Sequence, residues 1–156
     1  LRISSNAAEI SIEKWNDFIA IHPHGSVLQS HFMYSLFEKV RHFKPLLVFS
    51  EKENGQLGGL LLGVLIRESS GVKGYFSSRV VVYGGPLISG FPTNKLKIAG
   101  MLLSALEELC RKDSVFIQFR TSYDLSEYDD VFKHYAYCWH PRLNRLVNTE
   151  DKIRVM

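Results

Sequence analysis

Apolar positions along the chain switch between helical and strand spacing, and the switches mark the elements. Behind Ser11, a side chain suited to cap a helix, Ile12, Trp15, Phe18 and Ile19 recur three and four residues apart. His22-Pro23-His24-Gly25 ends that helix, because proline and glycine both interrupt it. Ser30 caps a second helix with its apolar stripe at Met33, Leu36, Phe37 and Val40. Strands are predicted over Leu46 to Ser50 and Leu57 to Arg67, joined by Glu53-Asn54-Gly55-Gln56, where Asn-Gly between apolar runs signals a hairpin. Beyond the Ser69-Ser70-Gly71 loop, Arg79 to Tyr83 reads as a third strand. A long helix follows from about Asn94 to Lys112, burying Ala99, Leu102, Leu103, Leu106, Leu109 and Cys110, with Lys97, Glu107, Glu108 and Arg111 opposite. Val115 to Arg120 alternates as a strand. A short helix opens at Ser126 with acidic residues first and Lys133 and His134 last, which suits its dipole. Arg142 to Val147 reads as a final strand. The sum is a mixed α/β layout, a mainly antiparallel sheet flanked by helices.

Size and composition keep this within one domain, residues 1–156, large enough for a real core. Apolar residues make up 46% and charged residues 22%, as in an ordinary globular protein. A net charge of +3 announces neither a nucleic-acid nor an anionic-membrane partner, though it leaves room for one local basic patch. Cys110 and Cys138 have no spacing motif, which points to a reducing compartment. No run approaches the ~18 apolar residues of a membrane span, and the expected location is cytoplasmic. The chain opens on Leu1 rather than on methionine, so it is read as a piece of a longer protein.

The break in Val80-Val81-Val82-Tyr83-Gly84-Gly85-Pro86-Leu87 is the most pointed local feature. Paired glycines after a strand cradle a phosphate, admit a ligand close to backbone, or turn a corner. Proline pushes Gly85 toward extended backbone. Close ligand approach and a bare corner both remain open from the residues alone. His22, His24 and His31 cluster in sequence, but no cysteine or carboxylate spacing completes a metal set, and no metal is expected. Neither a nucleophile elbow nor a phosphate-binding loop of the P-loop kind is present.

The order of elements is similar to that of the acyl-CoA N-acyltransferase (GNAT) fold. Two stretches resemble the FemAB/FemX family within it. His22-Pro23-His24-Gly25-Ser26-Val27-Leu28-Gln29-Ser30 resembles that family's HPxGSxxQS lead into its second helix, and Tyr83-Gly84-Gly85-Pro86-Leu87 resembles its GP segment. Phe116-Ile117-Gln118-Phe119-Arg120 and Arg142 to Val147 also look like it. The resemblance implies a GNAT-like domain that is the N-terminal half of a two-domain protein. It implies transfer of an aminoacyl group from aminoacyl-tRNA onto an amino group of a cell-wall or surface-polysaccharide precursor, in a cleft completed by a second GNAT-like domain. This chain also departs from the best-known members. Gly84 and Ser89 stand where they carry an arginine and an acid, and Phe37 stands where some carry a phosphate-binding lysine in the second helix.

The resemblance further implies that the strands on either side of the long helix splay apart around the transferring group. On that basis the expected substrate-binding residues are Tyr83, Gly84, Gly85, Pro86, Ser89, Gln118 and Arg120. No catalytic residue is assigned. For Tyr83 a hydroxyl offered to substrate or merely wetted at the core's edge both stand, as do a substrate contact or a structural ion pair for Arg120. GNAT enzymes that use acyl-CoA grip its pyrophosphate with a [QR]xxGx[GA] loop, and Leu87 to Asn94 lacks that pattern, with Pro92 removing a donor. No cofactor is therefore expected, acetyl-CoA included. Two other readings stay beside the aminoacyltransferase: an acyl-CoA-dependent N-acyltransferase of a sugar or polymer, and a non-catalytic degenerate GNAT binding module.

Overall fold

The computed structural model describes residues 1–140 apart from 70, 91 and 122. The strand expected over Arg142 to Val147, and Ser122 at the exit of the preceding one, lie outside the described residues. The described elements are β1 (Arg2–Ser4), α1 (Ile12–Ile21), α2 (His31–Lys39), β2 (Phe43–Glu51), β3 (Leu57–Ile66), α3 (Gly71–Phe76), β4 (Arg79–Tyr83), β5 (Leu87–Ile88), α4 (Pro92–Cys110), β6 (Phe116–Arg120) and α5 (Asp129–His134).

The strands form one sheet in the order β1-β2-β3-β4-β6, with β5 on β3 beyond β4. Every pairing is antiparallel except β4 with β6. Helices α1 and α2 cover one face and α4 and α5 the other. Side chains alternate between the two sides along each strand: Leu47, Phe49, Leu60, Leu62, Val64 and Val81 join the α1 side, and Leu46, Val48, Leu61, Leu65, Val80 and Val82 the α4 side. A sheet covered on both faces explains why β3 is almost uniformly apolar and buried over Leu57–Ile66.

Capping follows the sequence. Ser11 Oγ accepts from the Lys14 N–H, and Ser30 Oγ from that of Met33. Strand β2 runs through Pro45, which the hairpin reading omitted. Its other neighbour, β1, pairs only with residues 49–51, so among the described residues the edge at Pro45 has no partner strand and tolerates a missing donor. Three elements escape the sequence pattern. Strands β1 and β5 are too short to show a period. Helix α3 carries Gly71 and Gly74, poor helix formers, and reads as loop.

Truncating a side chain that is wholly enclosed between α4 and the sheet should cost what a cavity costs. Leu106→Ala is expected to lower unfolding free energy by about 2–5 kcal/mol, read as a lower denaturation midpoint with an unchanged slope in urea, since Leu106 is fully buried in the α4-side core.

Candidate functional site

The break after β4 is a bulge in one long edge. Gly63 of β3 pairs with Val82, and Gly59 pairs with Ile88. Four steps along β3 thus face six along the partner, and two residues are extra. An even insertion keeps side-chain parity, so Leu87 still faces the α1 side with Val81 and Tyr83. Gly84 takes φ +96°, a conformation that disfavours side chains, and a Cβ there would sit 2.7 Å from the Gln29 amide nitrogen.

The segment between α1 and α2 repairs what the bulge leaves unpaired. Gln29 is 1% exposed, and its Nε2 donates to the Gly85 carbonyl at 3.1 Å. Its Oε1 accepts from the Ser26 hydroxyl at 3.1 Å, and its own carbonyl accepts from Trp15 Nε1 at 2.8 Å. His22 Nε2 lies 3.2 Å from the Ile88 carbonyl, while its Nδ1 accepts from the His24 N–H at 3.2 Å. A carbonyl only accepts, so these contacts require the neutral ring with its proton on Nε2. Burial first of all, helped by the nearby positive charge of Lys95 and by His24, pushes the His22 pKa below its ordinary value, against the opposing pull of the Ile88 carbonyl and Glu127. Gly25 is required because a Cβ would fall 1.9 Å from the Ile19 carbonyl at the end of α1. The histidine-rich segment is therefore a clamp on the bulge, and among the described residues no three His, Cys, Asp or Glu side chains converge.

The expected splay between the strands flanking α4 is corrected here. Strands β4 and β6 pair in register from Arg79↔Phe116 to Tyr83↔Arg120, and the Gly84 N–H continues the ladder to the Arg120 carbonyl at 2.8 Å. Past that point the gap is filled by protein. Tyr123 and Leu125 close over Gly85, where a Cβ would meet them at 2.8 and 2.9 Å, and Leu125 is buried. Tyr123 also stacks face to face on His24, with centroids 4.1 Å apart. Its hydroxyl is buried without a well-formed hydrogen bond among the described residues, and burial raises its pKa. These apolar contacts seat the chain as β6 ends, which the period-two pattern of a five-residue strand does not disclose.

The seven expected binding residues separate into three environments. Tyr83, Gln118 and Arg120 share the sheet face that carries α2. Tyr83 stacks on Phe37 at 6.3 Å, and the Arg120 guanidinium lies 5.9 Å from the Tyr83 ring centroid. Arg120 is exposed and donates to Gln118 Oε1 at 3.1 and 3.3 Å. Among the described residues no carboxylate pairs with it, and its hydrogen-bond partner there is Gln118. Gly84, Gly85 and Pro86 form the bulge under Gln29, Tyr123 and Leu125. Ser89 lies past the bulge, with its hydroxyl donating to the Leu57 carbonyl at 3.0 Å and accepting from Lys52 Nζ at 3.3 Å.

Ser89 borders a cavity of about 980 Å³ between α1, the β2–β3 turn and the start of α4, with His22, His24, Lys52, Lys95 and Tyr123 in its walls. Lys95 pairs with Glu127 at 3.3 Å, and Lys14 pairs with Glu51. Lys52 has only a hydroxyl partner among the described residues. Sequence reasoning missed Lys52, Lys95 and Tyr123, which lie on three separate elements and share no motif. Gln29 stood in view inside the quoted segment, but nothing in its neighbours revealed what it would face.

No family model matches the chain, and no curated protein sequence does. Among solved structures the chain is similar to FemX, with TM-score 0.66 and 13% identity over 86% of this chain and 31% of that one. It thus spans under a third of that protein's length. It is also similar to an aminoglycoside 6'-N-acetyltransferase of Acinetobacter haemolyticus, with TM-score 0.62 and 10% identity over 96% of this chain and 99% of that one. A ribosomal-protein-alanine N-acetyltransferase of Brucella melitensis biovar Abortus matches with TM-score 0.61 and 12% identity, over 94% and 100% of the two chains. The fold is that of the GNAT acetyltransferases and of FemX: a mixed, mainly antiparallel sheet between helices.

Two consequences can be measured. Gln29→Ala strands the buried Gly85 carbonyl and opens a cavity, and should cost about 2–4 kcal/mol. Its partner substitution Gly84→Ala should destabilise too, through both strain and collision with Gln29. The second concerns pH. The folded-state pKa of His22 lies below its unfolded value, so the unfolded chain binds the extra proton more readily. His22 should contribute its full stability above its ordinary pKa of about 6.5. That contribution should fall as pH drops below this value toward the folded pKa. Midpoints measured from pH 8 to pH 5 should show the decline, and His22→Gln should flatten it.

Proposed function

We propose that the chain is the first domain of a FemAB-like transferase, which moves an aminoacyl group onto an amino group of a cell-wall or surface-polysaccharide precursor. The donor in this reading is aminoacyl-tRNA, and a second GNAT-like domain of the same protein completes the cleft. The reaction joins the acceptor nitrogen to the ester carbonyl, breaks the ester C–O bond and leaves the proton with the released hydroxyl. Such a transfer needs alignment of two substrates and a proton route, and requires no protein nucleophile. This domain supplies acceptor binding. Arg120 faces an anionic group of the precursor, with Gln118 holding the guanidinium and Tyr83 bounding the site on the α2 side. Gly84, Gly85 and Pro86 shape that surface through the bulge, and Ser89 belongs to the cavity on its far side.

The observation that carries the reading is the exposed Arg120, held by Gln118 beside Tyr83 on a fold similar to that of FemX. Among the described residues, the packing of Tyr123, Leu125 and the His24 stack past β4 leaves no groove between the strands for either an acyl-CoA arm or an aminoacyl group, so the reading places the transferring group outside that gap. A single-domain acyl-CoA N-acetyltransferase is the second reading, favoured by the end-to-end match with the Acinetobacter enzyme.

Calorimetric titration separates the two. Acetyl-CoA should give no heat, whereas a nucleotide-linked muropeptide precursor should bind, and Arg120→Ala should weaken it about tenfold to a hundredfold, the worth of a charge-assisted contact. Saturable acetyl-CoA binding with no response to the precursor would reverse the order of the two readings.

A further inference from the structure

The end of the sheet farthest from the bulge has a character of its own. The α2–β2 turn, the β3–α3–β4 connection and the α4–β6 turn meet there. The Arg67 N–H bonds the His42 carbonyl at 3.0 Å, and the Val115 N–H bonds the Ser78 carbonyl at 3.1 Å. Asp113 joins the three by taking Arg67 at 3.0 Å and Lys44 at 3.8 Å. Residues 39–44, 67–79 and 111–116 together hold eight Lys or Arg and only two acids, Glu68 and Asp113. That is a balance of +6 in a chain whose net charge is +3, so the remainder of the molecule carries −3. Both acids are already engaged, Glu68 with Arg79 at 2.9 Å and Asp113 as above. Arg41, Lys73, Arg111 and Lys112 stand exposed.

Helix α3 lies at this basic end, in the connection from β3 to β4. Its outer side presents Val72 and Phe76, four residues apart and therefore side by side, at 74% and 73% exposure. Tyr75 packs edge-on against Phe76 at 5.7 Å and is itself 43% exposed. Val40 adds a further exposed apolar side chain from the α2–β2 turn. Isolated apolar side chains at a surface are ordinary, but an exposed aliphatic–aromatic pair at an end of the sheet that also carries exposed Arg41, Lys73, Arg111 and Lys112, which have no ion pair among the described residues, is not.

We propose that this end of the domain docks on the surface of an anionic lipid bilayer, with Val72 and Phe76 entering the headgroup–acyl boundary and the surrounding Lys and Arg facing lipid phosphates. Both parts of the patch meet a complement there: apolar depth for the pair, negative surface charge for the ring. A nucleic acid would satisfy the charge and could stack an unpaired base on Phe76, but it offers no apolar depth for the Val72 side chain beside it. The docking end lies across the length of β4 from Tyr83, so contact with a bilayer would leave Tyr83, Gln118 and Arg120 uncovered.

Flotation of the 156-residue chain with vesicles tests this. With equal parts phosphatidylcholine and phosphatidylglycerol at low salt, the protein should float, and with phosphatidylcholine alone it should not. Raising salt to about 1 M, where screening acts within ~3 Å, should release it. Val72→Ser with Phe76→Ser should cut partitioning at least tenfold, and Lys73→Glu should cut it by about fivefold per unit of charge removed. Lys97→Glu, exposed on α4 away from this end, should change nothing. All three variants alter exposed side chains, and circular dichroism verifies that each is folded. Failure to float at low salt, flotation equal in the α3 variants, or α3-dependent binding to a homopolymer RNA in place of vesicles would each overturn the proposal.

Discussion

A single buried hydrogen bond, donated by the Gln29 side-chain amide to the Gly85 carbonyl, makes the interrupted strand possible. Two extra residues in one strand take backbone groups out of the ladder, and buried carbonyls without partners are costly. Gln29 and His22 meet that demand from the far side of the sheet's edge, and Trp15 and Ser26 hold Gln29 where it must be. The connection between α1 and α2 is thus bound to the β4–β5 break by side-chain-to-backbone bonds, and neither keeps its shape without the other. Polar networks of this kind fix geometry more sharply than apolar packing, because each member has a definite direction.

The surfaces on either side of this lock follow from it. Keeping parity across the bulge leaves Tyr83 on the α2 face beside Arg120, while the chain beyond it turns Ser89 toward Lys52 and the cavity. Closure by Tyr123 and Leu125 seals the space between the two. A fold shared with enzymes that differ in substrate acquires its chemistry through such local differences, which explains why likeness at 10–13% identity settles the architecture and leaves the substrate to the site.

Legibility from sequence divided along physical lines. The strand at β3, the long α4 with its buried stripe, and the Ser11 and Ser30 caps were all visible, because period and capping are local properties. Helix α3 was hidden by Gly71 and Gly74, since its backbone is held by context rather than by propensity. Strand β5 was hidden by its length: two residues carry no period, and only pairing with β3 defines them. The Gly-Gly-Pro break was seen, but its meaning as a bulge required knowing which residues of β3 stood opposite.

The amino-acid order alone determined the class of fold, the sequence of elements and the presence of a special backbone site after Tyr83, because each is written in neighbours a few residues apart. Tertiary structure decided what the special site faces. Gln29 and Gly85 are 56 residues apart, and His22 and Ile88 are 66 apart. No local pattern encodes a hydrogen bond across that separation, and the register that creates it exists only once the sheet has formed. The same holds for the charged end around α3, where three distant turns concentrate a balance of +6 that the overall composition averages away.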